Sequence, residues 1–228
     1  MAESPVQQLQ SIALFAVPII VAITLHEAAH GYAARHFGDD TAEKAGRISL
    51  NPLRHIDPVG TIILPALLLL SHSGILFGYA KPVPVDFARL RHPKQDMVWV
   101  AAAGPGMNFL LAAISVLLIL VPSVLGLTPS DWVVQLLWGS VNINLLLAIL
   151  NLIPIPPLDG GRVAVGLLPM PLARPLAQLS RFGLMLVLAI FVLLPYVGID
   201  VFRWLVQIPV EFIERPILAL LGASSPNS

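Results

Sequence analysis

Residues 98–121 have the sequence VWVAAAGPGMNFLLAAISVLLILV and decide the fold class, because 24 consecutive positions carry no Asp, Glu, Lys or Arg. A helix that crosses the hydrocarbon core of a bilayer requires about 20 apolar residues. Comparable runs occur at residues 9–25, 132–154 and 182–199. The sequence therefore predicts an all-α polytopic membrane protein with about 4–6 transmembrane helices.

The composition agrees with a membrane protein and argues against several other classes. Of the 228 residues, 57% are hydrophobic and 11% are charged, whereas roughly 25% of the residues in a soluble domain are charged. The 13 basic and 13 acidic residues cancel, so we expect no nucleic-acid partner. The absence of cysteine excludes a thiolate metal site and a cysteine nucleophile.

Two further segments are less regular. Residues 61–79 are apolar but are interrupted by Pro65, and they are predicted to form either a span or a re-entrant hairpin. Residues 204–221 contain three charged side chains. We expect them to form an interfacial helix or a weakly hydrophobic span.

The positions of Lys and Arg predict an orientation. These residues are concentrated at 35–54, at 81–94 and after Asp159, and are absent from residues 122–131. Short cytoplasmic loops are enriched in basic residues. The three basic regions are therefore predicted to be cytoplasmic, an arrangement that favours a hairpin at residues 61–79.

Two polar connectors have strand character. Residues 46–52 alternate between polar and apolar side chains, and residues 78–85 are kept extended by their prolines. They are predicted to be short membrane-associated β or re-entrant connectors. Either one could pair with an extended peptide.

The motif His26-Glu27-Ala28-Ala29-His30 lies near the end of the first predicted helix. Side chains four residues apart share a helix face, so both imidazoles can reach one Zn²⁺ while Glu27 lies beside the position of a bound water. Zinc lowers the pKa of that water to about 7, and the glutamate can accept its proton and pass it to the leaving amine. Ionisable residues in a membrane helix are costly unless paired or metal-bound, which favours a metal site.

Such a zinc site requires a third protein ligand. Residues 151–161, NLIPIPPLDGG, follow a long apolar run and supply Asp159. Three prolines remove amide donors and two glycines permit close backbone approach, so an unwound, strand-like segment at membrane depth is predicted. The alternative is an ordinary helix terminus with Asp159 solvated at the interface.

These motifs together resemble the site-2 protease family of intramembrane zinc metalloproteases. The resemblance rests on His-Glu-x-x-His at 26–30, Gly-Pro-Gly-Met-Asn at 104–108 and Asn-x-x-Pro-x-x-x-Leu-Asp-Gly at 151–160. Residues 46–61 and 78–85 further resemble the compact bacterial branch of that family, which lacks PDZ and CBS domains.

The resemblance implies roles for five residues. His26, His30 and Asp159 would bind one zinc ion per chain, and Glu27 would be the general base and acid. Asn151 would hold the substrate carbonyl or its oxyanion. A neutral amide donor is suited to that role because it stabilises negative charge without competing for the metal.

Other polar residues receive more modest expectations. Asn108 is expected to pack between helices and to be able to bond across their interface. Asn142 and Asn144 are expected to form interhelical hydrogen bonds, although Asn144 could also be a second polar contact in the site. His55 and Asp57 are expected to be solvated or to cap a loop.

The sequence therefore predicts a zinc metalloendopeptidase that hydrolyses a peptide bond within or next to a transmembrane segment of a membrane protein substrate. We expect one membrane-embedded domain over residues 1–228, with a catalytic core at about 10–165 and C-terminal helices at about 170–222. It is expected to be a multi-pass protein of a bacterial cell membrane, with the active site toward the cytoplasmic side. The identity of the substrate and the oligomeric state stay open.

Two other functions are compatible with parts of the sequence. A noncatalytic membrane adaptor or chaperone could keep zinc as a structural staple, but a purely structural site has no need of Glu27. A transporter with broken helices could bind an ion at membrane depth. The chain has no internal repeat, which argues against the transporter.

Overall fold

The structure is a computed structural model that describes residues 5–63, 67 and 80–221. It is about 79% helical, and no β-strand occurs among the described residues. The prediction of an all-α polytopic membrane protein is therefore confirmed.

Three helices within the described ranges are long and apolar enough to cross a bilayer. They are α1 (Pro5–His36), α3 (Pro93–Val124) and α4 (Asp131–Leu152). The single-turn helix α2 (Thr41–Lys44) follows α1. The three long helices coincide with three of the spans that the sequence predicts.

Helix α3 is the centre of the packing, because it contacts α1, α4 and the short helix α5 (Asp159–Leu167). Small residues allow these helices to approach closely. At Gly166 of α5, an added Cβ would lie 2.9 Å from the carbonyl oxygen of Lys94 on α3. The two elements that carry His26 and Asp159 are thereby held against the same helix.

The chain folds back sharply between α4 and α5. Helix α4 ends at Leu152, and turns rather than a strand occupy residues 153–158. A Cβ added to Gly160 would collide with the carbonyl oxygens of Leu152 and Ile153. Glycine is therefore required for the return of the chain, which places Asp159 at the start of α5, buried rather than solvated at an interface.

The C-terminal part contains shorter helical pieces. Helix α6 (Met170–Leu179) is followed by α7 (Gly183–Leu188), a π-helical turn and α8 (Leu194–Tyr196). Residues Met170–Phe182 and Met185–Leu193 meet at an angle of 83°. The fourth predicted span, at residues 182–199, is therefore not one straight helix, and a fourth span exists among the described residues only if the bent pair at residues 170–193 is counted as one.

The last helix is α9 (Ile208–Leu220), which has 13 residues. It is shorter than the roughly 20 residues of a perpendicular span. It is preceded by a π-helical turn at Arg203–Gln207. Its length is compatible with the interfacial helix predicted for residues 204–221.

The connectors differ in part from the sequence prediction. Residues 46–50 are irregular, and Pro52–His55 form a 3₁₀ turn that the side chain of Asn51 caps through a 3.0 Å bond from the Leu53 amide. The expected strand character is therefore wrong for residues 46–52. Residues 80–86 form no helix, turn or paired strand, and the backbone of Asp86 is extended. Lys81 and Val83 each precede a proline, which favours an extended backbone at those positions as well. Most of residues 61–79 lies outside the described ranges, so the hairpin there stays a prediction.

Candidate metal centre and catalytic glutamate

The side chains of His26, His30 and Asp159 meet at one point between α1 and α5. The Nε2 atoms of the two histidines are 3.1 Å apart, and Oδ2 of Asp159 lies 3.1 Å from the first and 3.2 Å from the second. All three residues are buried, with 5–7% of their surface exposed. The structure thus brings together two motifs that are 129 residues apart in the sequence.

Each imidazole turns its other nitrogen toward a hydrogen-bond acceptor on α3. Nδ1 of His30 lies 2.7 Å from the carbonyl oxygen of Val100, and Nδ1 of His26 lies 2.5 Å from Oδ1 of Asn108. A carbonyl oxygen can only accept, so Nδ1 of His30 carries the proton. Its Nε2 then presents a lone pair to the cluster, as a metal ligand must.

Gly104 of α3 forms the wall of the cluster. A Cβ at this position would lie 2.6 Å from Nε2 of His26 and would also collide with Nε2 of His30. Only glycine leaves space in front of the two nitrogen atoms. The first glycine of the Gly-Pro-Gly-Met-Asn motif therefore bounds the site itself, beyond the close helix approach expected from the sequence.

The donor set fits zinc. Ligand atoms that lie about 2.0–2.1 Å from a tetrahedral zinc ion are roughly 3.3 Å from one another. The three observed separations of 3.1–3.2 Å are close to this value. Two imidazole nitrogens and a carboxylate oxygen are also a donor set of catalytic zinc, which keeps a fourth position open.

Asp159 has a further partner that the sequence pattern did not single out. Nη1 of Arg162 lies 3.3 Å from Oδ1 of Asp159, one helical turn along α5. The guanidinium of Arg162 also lies over the ring of Phe87, 5.6 Å from its centroid. Arg162 therefore occupies one carboxylate oxygen and leaves the other, Oδ2, directed at the histidines.

Glu27 is half-buried and is held by the extended residues 80–86, which we call the strap. The backbone amide of Val83 donates a 2.7 Å hydrogen bond to Oε2 of Glu27. Pro82 and Pro84 have no amide hydrogen, so Val83 supplies the only backbone donor of this triplet. The strap thus crosses α1 beside the residue that the sequence identifies as the general base.

Polar contacts hold both ends of the strap. The backbone carbonyl oxygen of Lys81 accepts a 2.8 Å hydrogen bond from the side chain of Arg47. The backbone amide of Lys81 donates a 2.9 Å hydrogen bond to the carbonyl oxygen of His55. At Asp86, the amide donates a 2.7 Å bond to the fully buried carboxylate of Asp39. His55 is itself buried, so the expectation that it is solvated is wrong.

The residues that follow the strap are tied to the loop after α1. The amide of Arg91 donates a 3.0 Å bond to the carbonyl oxygen of Phe37, and Arg89 forms a 2.9 Å ion pair with Asp40. A hydrogen bond from Lys44, together with the charge of Arg89, lowers the pKa of the Asp40 carboxyl. Asp40 therefore stays ionised at neutral pH and keeps this attachment.

The remaining predicted residues fall in different surroundings. Asn108 and Asn144 are hydrogen-bonded to each other across α3 and α4 at 2.8 Å, as expected. Among the described residues, Asn142 instead donates to the carbonyl oxygen of Trp138 in its own helix. Asp57 caps the next turn by accepting hydrogen bonds from two backbone amides, as expected.

Asn151 lies near the end of α4. Its side-chain amide donates a 3.0 Å hydrogen bond to the backbone carbonyl oxygen of Leu147 in the same helix.

A buried His, His, Asp cluster beside a glutamate, among helices that can span a bilayer, defines a membrane-embedded zinc metallopeptidase. Comparisons with known proteins agree with this class. The family model of peptidase family M50 matches residues 127–195. "Putative zinc metalloprotease YwhC" of Bacillus subtilis is 37% identical over 180 residues, which are 77% of this chain and 78% of that protein.

Two mycobacterial relatives are more distant, and both are named "Putative zinc metalloprotease Rip2". The protein of Mycolicibacterium smegmatis is 29% identical over 76% of this chain, and that of Mycobacterium tuberculosis strain H37Rv is 32% identical over 75%. The matched region spans 64% of each relative. No solved structure is significantly similar to the chain.

The chain belongs to peptidase family M50, the site-2 protease family. It is therefore a zinc metalloendopeptidase and a bacterial multi-pass membrane protein, and zinc is its cofactor. As a membrane-embedded protease of this family, it acts on membrane substrates in a lipid bilayer. The resemblance found in the sequence is confirmed.

The position of Gly104 leads to a specific prediction. We expect Gly104→Ala to reduce the zinc content of the purified protein well below one ion per chain, because the new Cβ occupies the space before both Nε2 atoms. Overpacking of this kind also costs about 1–3 kcal/mol of folding free energy. Metal analysis and thermal unfolding in detergent measure the two effects.

Gly106→Ala is the matched control, because a Cβ at Gly106 would have no heavy atom within 4 Å. This variant is expected to keep both its zinc and its melting temperature. Full zinc occupancy in Gly104→Ala would contradict the role assigned to Gly104.

Proposed function

We propose that this protein hydrolyses a peptide bond within or next to a transmembrane segment of a membrane protein substrate. The observation that carries the proposal is the position of the site on α1. His26, Glu27 and His30 all lie within Leu9–His36, a helix long and apolar enough to cross a bilayer. A hydrolytic site on such a helix is suited to substrate segments that are themselves in the membrane.

In the proposed mechanism, His26, His30 and Asp159 hold the metal and Glu27 moves the proton. Zinc, when bound, would lower the pKa of a water molecule and polarise the scissile carbonyl. The Glu27 carboxylate accepts a proton from the attacking water and delivers it to the leaving amine. The burial of His26, His30 and Asp159 limits the access of other water molecules.

Asn151 is proposed to stabilise the oxyanion that develops on the substrate carbonyl. Support comes from its place on α4, one residue before the helix ends and eight residues before Asp159. Its amide is engaged with the Leu147 carbonyl in the present structure. The proposed role therefore requires a rotation of this side chain when substrate binds.

The strap is proposed to hold the substrate as an added strand. A helical substrate hides its amides, so cleavage requires local unwinding, and an extended peptide can pair with an exposed backbone edge. The strap is extended, is tethered on both sides and contacts Glu27 through Val83. A peptide bound along it would be presented beside the general base.

We further propose that residues 1–228 form one membrane-embedded domain, with its core at about 10–165, and that the active site faces the cytoplasm. The orientation is supported by the Lys and Arg residues of the loops that contain the strap and follow Asp159. The competing function, a noncatalytic zinc-stapled adaptor or chaperone, gives no role to the glutamate next to the first histidine.

Two substitutions separate the protease from the adaptor. Glu27→Gln is expected to retain one zinc per chain but to lower the rate of cleavage by about 10²–10⁴, the contribution of a general base. Asp159→Ala is expected to lose both zinc and cleavage. Metal analysis of the detergent-purified chains, with a membrane-protein substrate reconstituted in vesicles, measures both properties.

If the purified wild-type chain contains no zinc, or if Asp159→Ala retains the wild-type zinc content, the proposed ligand set is contradicted. Undiminished cleavage by Glu27→Gln would contradict the role of the glutamate. Zinc binding without proteolysis in the wild-type protein would favour the adaptor.

A second prediction concerns the strap. We expect Val85→Pro to lower kcat/KM about tenfold, the effect of one lost hydrogen bond of roughly 1.4 kcal/mol, because the amide of Val85 could no longer pair with a bound peptide. The zinc content should not change. Thr128→Pro introduces a proline in the exposed loop between α3 and α4 and is the control for the substitution itself, and the melting temperature of Val85→Pro checks that its partly buried position still packs.

Cleavage of a defined substrate is the readout for both variants. Unchanged cleavage after proline substitution at each of the positions of residues 80–86 that is not already proline, or after deletion within the strap, would overturn its proposed role.

A third prediction tests the asparagine. Asn151→Ala is expected to lower kcat by about 10²–10³ while KM and zinc content stay near wild type, because an oxyanion donor acts mainly in the transition state. Asn142→Ala is a close control, since Asn142 also contacts the carbonyl four residues earlier in the same helix. Equal kcat values for the two variants would rule out the oxyanion role.

A further inference from the structure

Two buried asparagines lie behind the metal centre without touching the proposed metal position. Asn108 of α3 is fully buried, and Asn144 of α4 is 1% exposed. We propose that they form a directional hydrogen-bond relay that fixes the tautomer of His26, so that both are positioning residues for the metal ligand. This inference rests on the proposed function only in taking His26 as a ligand.

The relay begins at a backbone atom that cannot change its role. The carbonyl oxygen of Ser140 lies 2.8 Å from Nδ2 of Asn144. A carbonyl oxygen only accepts, so the NH₂ end of Asn144 must face it. The side-chain oxygen of Asn144 is then directed away from Ser140, toward α3.

The second link transmits this polarity across the helix interface. Oδ1 of Asn144 lies 2.8 Å from Nδ2 of Asn108. Because the oxygen accepts, Asn108 must present its NH₂ group. The same NH₂ group lies 3.4 Å from the carbonyl oxygen of Ala22 on α1, a second backbone acceptor that requires the same orientation.

The last link reaches the ligand. With its NH₂ group directed at Asn144, Asn108 offers its oxygen to Nδ1 of His26 at 2.5 Å. That oxygen accepts, so the proton of the neutral imidazole is on Nδ1 and the lone pair is on Nε2. The result is the tautomer that Val100 imposes directly on His30. Both lone pairs therefore face the same point.

Simple helix adhesion does not account for this arrangement. One hydrogen bond between Asn108 and Asn144 would be sufficient to join α3 and α4. The same interface already contains a second polar pair, because Oγ of Ser115 lies 2.9 Å from Oγ of Ser140. Helix adhesion does not explain the hydrogen bond between Nδ1 of His26 and the side-chain oxygen of Asn108.

The test measures zinc affinity in full-length protein by competition with a chelator. Removing a partner that orients a metal ligand typically lowers affinity 10- to 100-fold, so we expect this loss for Asn108→Leu. Asn144→Leu should cause a smaller loss, about 3- to 10-fold, because the Ala22 carbonyl still orients Asn108. Ser115→Ala breaks a hydrogen bond of the same interface and should leave the affinity at the wild-type value.

A spectroscopic measurement reports the tautomer itself. In protein labelled with ¹⁵N-histidine and loaded with zinc, His26 of the wild type should show a protonated Nδ1 in a strong hydrogen bond. This signal should weaken or disappear in Asn108→Leu and persist in Ser115→Ala. A purely structural role of Asn108 would affect the melting temperature without changing this signal.

Each outcome decides the proposal. Wild-type zinc affinity in folded Asn108→Leu or Asn144→Leu, or equal losses in these variants and in Ser115→Ala, would overturn the relay. If Asn108→Leu does not fold, the loss in Asn144→Leu decides. A wild-type chain that binds zinc but cleaves no substrate would instead contradict the proposed function. The relay would still be tested by the zinc affinities of the Asn108 and Asn144 variants.

Discussion

The burial of His26, His30 and Asp159 is the constraint on which the arrangement of the core depends. Ionisable groups at this depth are costly unless every polar atom has a partner. Helix α3 supplies those partners, through the Val100 carbonyl and the Asn108 oxygen, and Gly104 leaves the space that the ring nitrogens need. The central position of α3 in the packing follows, because it must contact α1 and α5 together.

The site is built from two kinds of structure with different properties. On one side, apolar helices hold the three buried side chains, in an interior whose close packing resists deformation. On the other side, the strap holds Glu27 by one backbone hydrogen bond and is attached through side chains and turns. The buried cluster and the strap meet at Glu27, which we propose to be the general base.

The local parts of the site could be predicted, whereas its walls could not. The spacing of His26 and His30 is a property of any α-helix, and Asp159 was a candidate because it follows a long apolar run that is broken by prolines and glycines. The face of α3 that meets α1 depends on tertiary packing, so Gly104 was expected only to pack and Asn108 to pack or to bond across the interface, and their contacts with the two histidines were not foreseen. Arg162 resembled an ordinary loop charge, and Asn51 with Pro52 favoured a 3₁₀ turn over a strand.

The distance along the chain between the two motifs affects the biosynthesis of the protein. His30 and Asp159 are separated by 129 residues, and α3 and α4 lie between them. A growing chain that has inserted α1, α3 and α4 but not yet α5 carries two of the three proposed metal ligands. In such a site, hydrolytic competence arises only after α5 has been synthesised and packed, so that neighbouring nascent membrane segments are not exposed to a half-built protease.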